Sequence, residues 1–196
     1  MRIAQRFGTS RPVFSFEFFP PRTEPGFDQL FQTIRDLKPL EPDFVSVTWG
    51  AGGSTRRKTV ELVIQIEREV GLTAMAHLSC IGSTPDQLAE TLDRLAAGGI
   101  QNVLALGGDR PPDYEPPPDG FTYANELVAF VRSRWRFCVG AACYPETHPR
   151  APSPDEDLRN LVRKVGAGAD FLITQLFFDN ADYFAFVERA DRKSVV

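Results

Sequence analysis

A chain of 196 residues, 42% of them hydrophobic, can fill one good-sized core but not two, so a single domain over residues 1–196 is expected. The net charge of −4, with arginines scattered rather than striped, excludes nucleic acid as the main partner, because neutralising phosphates needs a basic face. Three cysteines make no disulfide framework, no apolar run approaches the roughly 18 residues of a membrane span, and "MRIAQRFGTSRP" lacks a signal peptide's apolar core; a cytoplasmic protein is expected.

The first apolar run, Phe14 to Phe18 within "FSFEFFPPR", reads as an aromatic strand ended by Pro20 and Pro21, neither of which can donate to a sheet ladder. Glu17 therefore stands near the strand's C-terminal end. If the neighbouring rings exclude water, desolvation favours its neutral form and it could serve as a general acid. Strict alternation would instead turn it to solvent or to an arginine. A helical pattern follows over Phe27 to Leu37. The second run, Phe44 to Thr48, leads through "WGAGGST", whose glycines let backbone approach a ligand closely, into a helix over Arg57 to Val70. The third strand, Thr73 to Ser79, carries His77 and Ser79, and its helix, Pro85 to Ala97, opens on the capping sequence Thr84-Pro85-Asp86-Gln87. Gly71, Gly98 and Gly99 stand where helix ends call for positive φ.

The fourth strand, Asn102 to Leu106, runs into Gly107-Gly108-Asp109 and then "RPPDYEPPPDG", a stiff surface loop, before a helix over Tyr123 to Ser133. The fifth, Phe137 to Ala142, ends on the segment Tyr144 to His148. Its helix, Pro154 to Val165, has Ser153 as N-cap and Glu156 placed for a capping box. The sixth, Phe171 to Phe177, brings Thr174 and Gln175, followed by a helix over Ala181 to Arg189.

The strand starts at 14, 44, 73, 102, 137 and 171 recur about every thirty residues, each with a helix after it, which means a parallel sheet. A doubly wound dinucleotide fold would show GxGxxG after its first strand. Here "PPR" follows that strand, and the nearest approximation, Gly50 to Thr55, follows the second. A TIM-type (β/α)8 barrel is favoured, with about six of its units in this chain. Lacking two units, such a barrel would expose unpaired edges on the first and sixth strands.

Barrel chemistry gathers at the C-terminal strand ends, where Glu17, Thr48, His77, Ser79, Asp109, Tyr144, His148 and Gln175 all fall. A Schiff-base aldolase is excluded because Lys38, Lys58, Lys164 and Lys193 lie on helices or in the tail. Two histidines with two acids are thin for a metal site, and no thiol carries a mark of activation. What remains is proton transfer by Glu17 beside a fixed carboxylate, Asp109, a set suited to a cofactor that supplies the difficult chemistry. On the fifth helix Asp157, Asn160 and Lys164 share one polar face, either solvated or holding ribose hydroxyls and a phosphate.

Taken in order and spacing, "FSFEFFPPR", "VSVTWGAGGST", "AHLSC", "ALGGD", "AACYPETHP" and "ITQLFFD" resemble the methylenetetrahydrofolate reductases from about residue 12 to about residue 190. The resemblance implies a (β/α)8 barrel binding FAD, reduced by NADH or NADPH, that converts 5,10-methylenetetrahydrofolate to 5-methyltetrahydrofolate in one-carbon metabolism and methionine biosynthesis. It makes Glu17 the general acid that opens the folate's five-membered ring, kept protonated by its aromatic surroundings. Asp109 would accept hydrogen bonds from the pterin and place negative charge near the flavin, and Gln175 would bind the pterin. Thr48, His77, Gly108, Tyr144, His148, Asp157, Asn160 and Lys164 would line the FAD, with Lys164 at the pyrophosphate and Asp157 at ribose hydroxyls. Two positions depart from the family pattern: Gly107 stands where many members carry arginine, and Arg57 where relatives often carry an acid. The missing units lead to the expectation that the chain alone binds FAD poorly and turns over little. A noncatalytic folate- or nucleotide-binding module, or an inactive gene fragment, is the competing reading. Neither the choice between NADH and NADPH nor homo-oligomerisation has a signature in the sequence.

Overall fold

The computed structural model describes residues 1–8, 11–49, 53–109, 115, 117 and 119–192, with side chains in the second helix from residue 57 onward. Most of the proline-rich segment and part of the "WGAGGST" loop lie outside the described residues. Among the described residues six strands alternate with six helices: β1 (Ser15–Phe18), α1 (Glu24–Leu37), β2 (Phe44–Val47), α2 (Gly53–Gln65), β3 (Ala74–Ser79), α3 (Pro85–Ala97), β4 (Asn102–Leu106), α4 (Ala124–Arg134), β5 (Cys138–Cys143), α5 (Pro154–Gly166), β6 (Phe171–Thr174) and α6 (Asn180–Arg192). The strands lie parallel in the order β1-β2-β3-β4-β5-β6. A doubly wound sheet reverses its order partway; this one does not.

Lateral pairing shows how the sheet curls. Glu17 sits opposite Ser46, Ser46 opposite Met75, Met75 opposite Asn102, and Asn102 opposite Cys138. That row starts near the end of β1 and finishes at the first residue of β5, so each strand is slipped along its neighbour. Such slippage is the shear of a closing barrel, and the result is a curled half-barrel.

Alternation divides each strand between two faces. Val45, Val47, Ala74, Ala76, Leu78, Val103, Ala105 and Val139 face outward and pack with the buried helix residues Ile34, Leu62, Val63, Leu88, Leu92, Leu95, Leu127 and Val131. Each such Leu, Ile or Val withdrawn from water stabilises the fold by about 1.5–3 kcal/mol. Phe44, Met75, Leu104, Cys138 and Phe171 face inward at the N-terminal end, where a short 3-10 turn over Ile3–Arg6 plugs the opening with Ile3. Asn102 fastens that plug. Its Oδ1 accepts from the Ile3 N–H at 2.8 Å and its Nδ2 donates to the Met1 carbonyl at 2.8 Å. Gly140 has no space for a side chain, because a Cβ there would lie 2.6 Å from the Phe171 ring.

Local signals explain the helix boundaries. Thr84 and Gln87 form the reciprocal capping box, and Gly71 ends a π-helical turn over Ile66–Val70 at φ 73°. Ser153 caps α5 through the Glu156 N–H, but the Glu156 carboxylate pairs with Arg159 and Arg163 instead of closing the box. Gly98 departs from expectation: its φ is −72°, and positive φ falls on Gly99. What Gly98 needs is room, since a Cβ would meet Ile64 at 2.5 Å. The ladder of β6 stops at Thr174 rather than reaching Phe177.

Candidate active site

The polar residues gather at the C-terminal end of the inner face. Glu17 on β1 reaches across Ser46 of β2 to His77 of β3. Its Oε2 lies 3.3 Å from His77 Nε2 and 3.4 Å from the donating Ser46 hydroxyl. The Glu17 side chain is half-exposed, whereas that of His77 is only 8% exposed. The expectation that aromatic neighbours keep Glu17 protonated is corrected here. Phe16 and Phe18 alternate away from it onto the outer core, and Phe14 and Phe19 are exposed. His77 is the largest influence on Glu17 and holds its carboxyl below the ordinary carboxylate range; partial burial opposes this, and the imidazole's charge and the Ser46 hydroxyl reinforce it.

Two buried atoms here lack hydrogen-bond partners among the described residues, His77 Nε2 and Thr48 Oγ1. Nε2 nevertheless stands 3.3 Å from the Glu17 carboxylate, close enough to bias its titration. Buried polar atoms are nearly always satisfied, so two such atoms at neighbouring strand ends stand out.

Beyond β4, Gly108 has φ 86° and Asp109 is exposed. Gly107 has open space around the position of a Cβ, so nothing in the fold demands glycine there. Beyond β5, the Tyr144 and His148 rings meet edge to face at 4.5 Å, and Thr147 between them has φ 98°, a strained value for a β-branched residue. Asp157 Oδ2 accepts from the His148 N–H at 2.9 Å, and His148 Nδ1 accepts from the Arg150 N–H at 3.0 Å. Burial, followed by the Arg150 charge, pushes the His148 pKa down, while burial and the Asp109 and Asp157 carboxylates push the Tyr144 phenol up.

Tyr144, Asp157, Asn160 and Lys164 line one cleft between α5 and α6, together with Arg189. The shared helix face read from spacing is thus real. Lys164 does not extend to solvent, however: its ammonium donates to the Ala142 carbonyl at 2.6 Å, and burial lowers its pKa. Asn160 Oδ1 accepts from Arg163. Burial raises the Cys143 thiol in the same cleft to about 11, which keeps it un-ionised at neutral pH. Gln175, just past the end of β6, donates its N–H to the Cys143 carbonyl at 2.7 Å, and its Oε1 accepts from the Leu176 N–H. Arg57, on α2, pairs with Glu61 on the exposed helix surface.

Sequence reasoning missed Ser46, Arg150 and Arg189. Counting alternation from Phe44 would have placed Ser46 on the inner face beside Glu17, but the two arginines reach their partners through loop geometry that no spacing encodes.

The family model described as "Methylenetetrahydrofolate reductase" matches residues 2–195. Among curated relatives, the 5,10-methylenetetrahydrofolate reductase of Escherichia coli (strain K12) is 43% identical over 175 residues, 89% of this chain and 58% of that protein. The Methylenetetrahydrofolate reductase (NADH) 1 of Zea mays is 38% identical over 200 residues, 95% of this chain and 34% of that protein. The chain thus spans little more than half the length of its bacterial relatives and about a third of the plant ones. Among solved structures, oxaloacetate acetylhydrolase aligns with a TM-score of 0.61 at 15% identity, covering 90% of this chain and 62% of that one. A putative lyase/mutase from Burkholderia cenocepacia J2315 aligns at 0.60 with 21% identity, covering 91% and 66%. These likenesses bear on the fold alone. The family match, the relatives and the polar strand ends agree: the chain belongs to the methylenetetrahydrofolate reductase family.

Proposed function

We propose that this chain reduces 5,10-methylenetetrahydrofolate to 5-methyltetrahydrofolate with electrons from NADH or NADPH through bound FAD, serving one-carbon metabolism and methionine biosynthesis in the cytoplasm. The observation that carries this reading is the accessible Glu17 carboxylate beside the buried His77 imidazole, with a second buried polar atom, Thr48 Oγ1, unpartnered among the described residues at the end of β2. The residues fit a flavin dinucleotide. Thr48 and His77 offer the waiting polar atoms, Gly108 brings backbone close without a Cβ, and the Tyr144–His148 ring pair offers an aromatic wall. Asp157 and Asn160 supply acceptors suited to ribose hydroxyls, and Lys164 lines the same cleft. When bound, the flavin would take a hydride from the nicotinamide and later pass one to the folate.

The protein's own work is proton delivery and orientation. Glu17 donates a proton from its carboxyl to the folate ring nitrogen, so that the five-membered ring opens to an electrophile. Without substrate, the contact with His77 favours the ionised form of Glu17. A substrate ring that displaces water and separates the two removes the largest cause of that depression and restores the proton where it is needed. Asp109 and Gln175 hold the pterin: the carboxylate accepts from its N–H groups, and the amide both donates and accepts. The barrel is completed to eight units in this reading. Titrating the protein with FAD and following flavin fluorescence tests the site. Saturable quenching that weakens when Thr48 and His77 are replaced supports it, and quenching indifferent to both changes contradicts it.

A further inference from the structure

The segment leaving β4 has no ladder of its own, yet consecutive carbonyls in it are fastened from opposite sides. From the β3 side, the Ser79 hydroxyl donates to the Gly107 carbonyl at 3.4 Å and the Cys80 thiol donates to the same oxygen at 3.3 Å. From the β5 side, Arg150 Nη2 donates to the Gly108 carbonyl at 3.3 Å. Ser79 is buried, and its Oγ accepts from the Ile81 N–H at 3.3 Å, which leaves its hydrogen for Gly107. The fit is tight. A Cβ on Gly108 would lie 2.2 Å from Ser79 Oγ, so the loop turns directly over that hydroxyl at a φ that glycine alone adopts freely. Asp109 is the next residue.

We infer that Ser79 and Arg150 are positioning residues, clamping Gly107 and Gly108 so that the Asp109 carboxylate stands at a fixed place in the site. Neither side chain needs to touch substrate. A loop held at two successive carbonyls, from the end of β3 and from the loop after β5, has little freedom to swing the backbone that carries its next side chain. The inference rests on the proposed role of Asp109 and deepens it.

The test uses the flavin-loaded protein and two readouts, the midpoint potential of the bound flavin and kcat. Asp109→Asn removes a negative charge and raises the potential. Ser79→Ala is expected to move the potential in the same direction and to lower kcat on the order of 10- to 100-fold, as loss of orientation does; Arg150→Gln lowers kcat similarly, while its lost positive charge offsets part of the rise in potential. Arg150→Lys, which keeps a donor, restores most of both. In the Asp109→Asn background Ser79→Ala shifts the potential no further. If Asp109→Asn moves the potential while Ser79→Ala leaves it unchanged, the clamp is wrong and the role of Asp109 stands. If Asp109→Asn itself has no effect, both fall. A second measurement does not depend on flavin: Gly108→Ala should lower Tm sharply, and Ser79→Ala should recover part of that loss. Additive Tm losses would overturn the close packing on which the clamp depends.

Discussion

The two ends of the inner face use the same strands for opposite purposes. At the N-terminal end, Ile3, Phe44, Met75, Leu104, Cys138 and Phe171 form a dry layer, and the buried Asn102 has its amide bonded on both sides. Two to four residues farther along β2 and β3 stand Ser46, Thr48, His77 and Ser79, with Glu17 beside Ser46 on β1, and two of their buried polar atoms have no partner among the described residues. A fold selected only for stability would treat both layers alike. The first end is closed and satisfied, and the second is left polar and incomplete; stability accounts for the one, and the proposed chemistry would use the other.

Mutations on either side should break this comparison if it is wrong. The largest effect belongs to the closed end: Leu104→Ala should destabilise the protein by about 2–5 kcal/mol, seen as a shift in denaturant midpoint, because a rigid layer leaves a cavity. Asn102→Ala should cost about 1–3 kcal/mol by the same measurement, since it leaves the Ile3 N–H without its acceptor. At the open end the sign reverses. Thr48→Val replaces an unsatisfied hydroxyl with a methyl group, so the ligand-free protein should gain up to ~1 kcal/mol while its FAD affinity falls. A loss of stability in Thr48→Val comparable to that of Asn102→Ala would erase the distinction.

The smallest effect is electrostatic. His77 is the main reason that Glu17 titrates low, so His77→Gln should raise the Glu17 pKa. If Glu17 must carry a proton in the rate-determining step, kcat declines as pH rises through its pKa, and the decline moves to higher pH in the variant. Stability follows the same linkage. A depressed carboxylate stabilises the fold above its unfolded pKa and loses that contribution as pH falls through the folded value, so His77→Gln should flatten the acid side of the stability profile. An unchanged pH dependence of both kcat and unfolding would show that the 3.3 Å approach carries no coupling.

Much of this architecture is legible in the chain because parallel βα units write their own period. The strand at Asn102–Leu106 and the helix at Pro85–Ala97 fall where apolar runs and the Thr84 cap place them. The environment of Glu17 was harder to read. Four phenylalanines surround it in sequence, but alternation sends Phe16 and Phe18 to the outer core, and its neighbours in space are Ser46 and His77 on other strands. Sequence proximity suggested a desolvated acid, whereas lateral pairing supplies an imidazole. Similarly, Lys164 shares the expected face with Asp157, yet its ammonium turns inward to the Ala142 carbonyl, an acceptor that only the packed sheet provides. The β4 loop is the extreme case. Ser79 and Arg150 meet it from segments on either side, and neither meeting has a signal in residue spacing.

In the proposed reaction Glu17 serves the folate and not the nicotinamide. The most direct measurement compares the two half-reactions in Glu17→Gln: oxidation of NADH or NADPH by the flavin-loaded protein with an artificial quinone acceptor, and reduction of 5,10-methylenetetrahydrofolate. The account predicts that the first survives and the second falls by about 10²–10⁴-fold, the contribution of a positioned acid. Equal loss in both half-reactions, or full activity with folate, would contradict it.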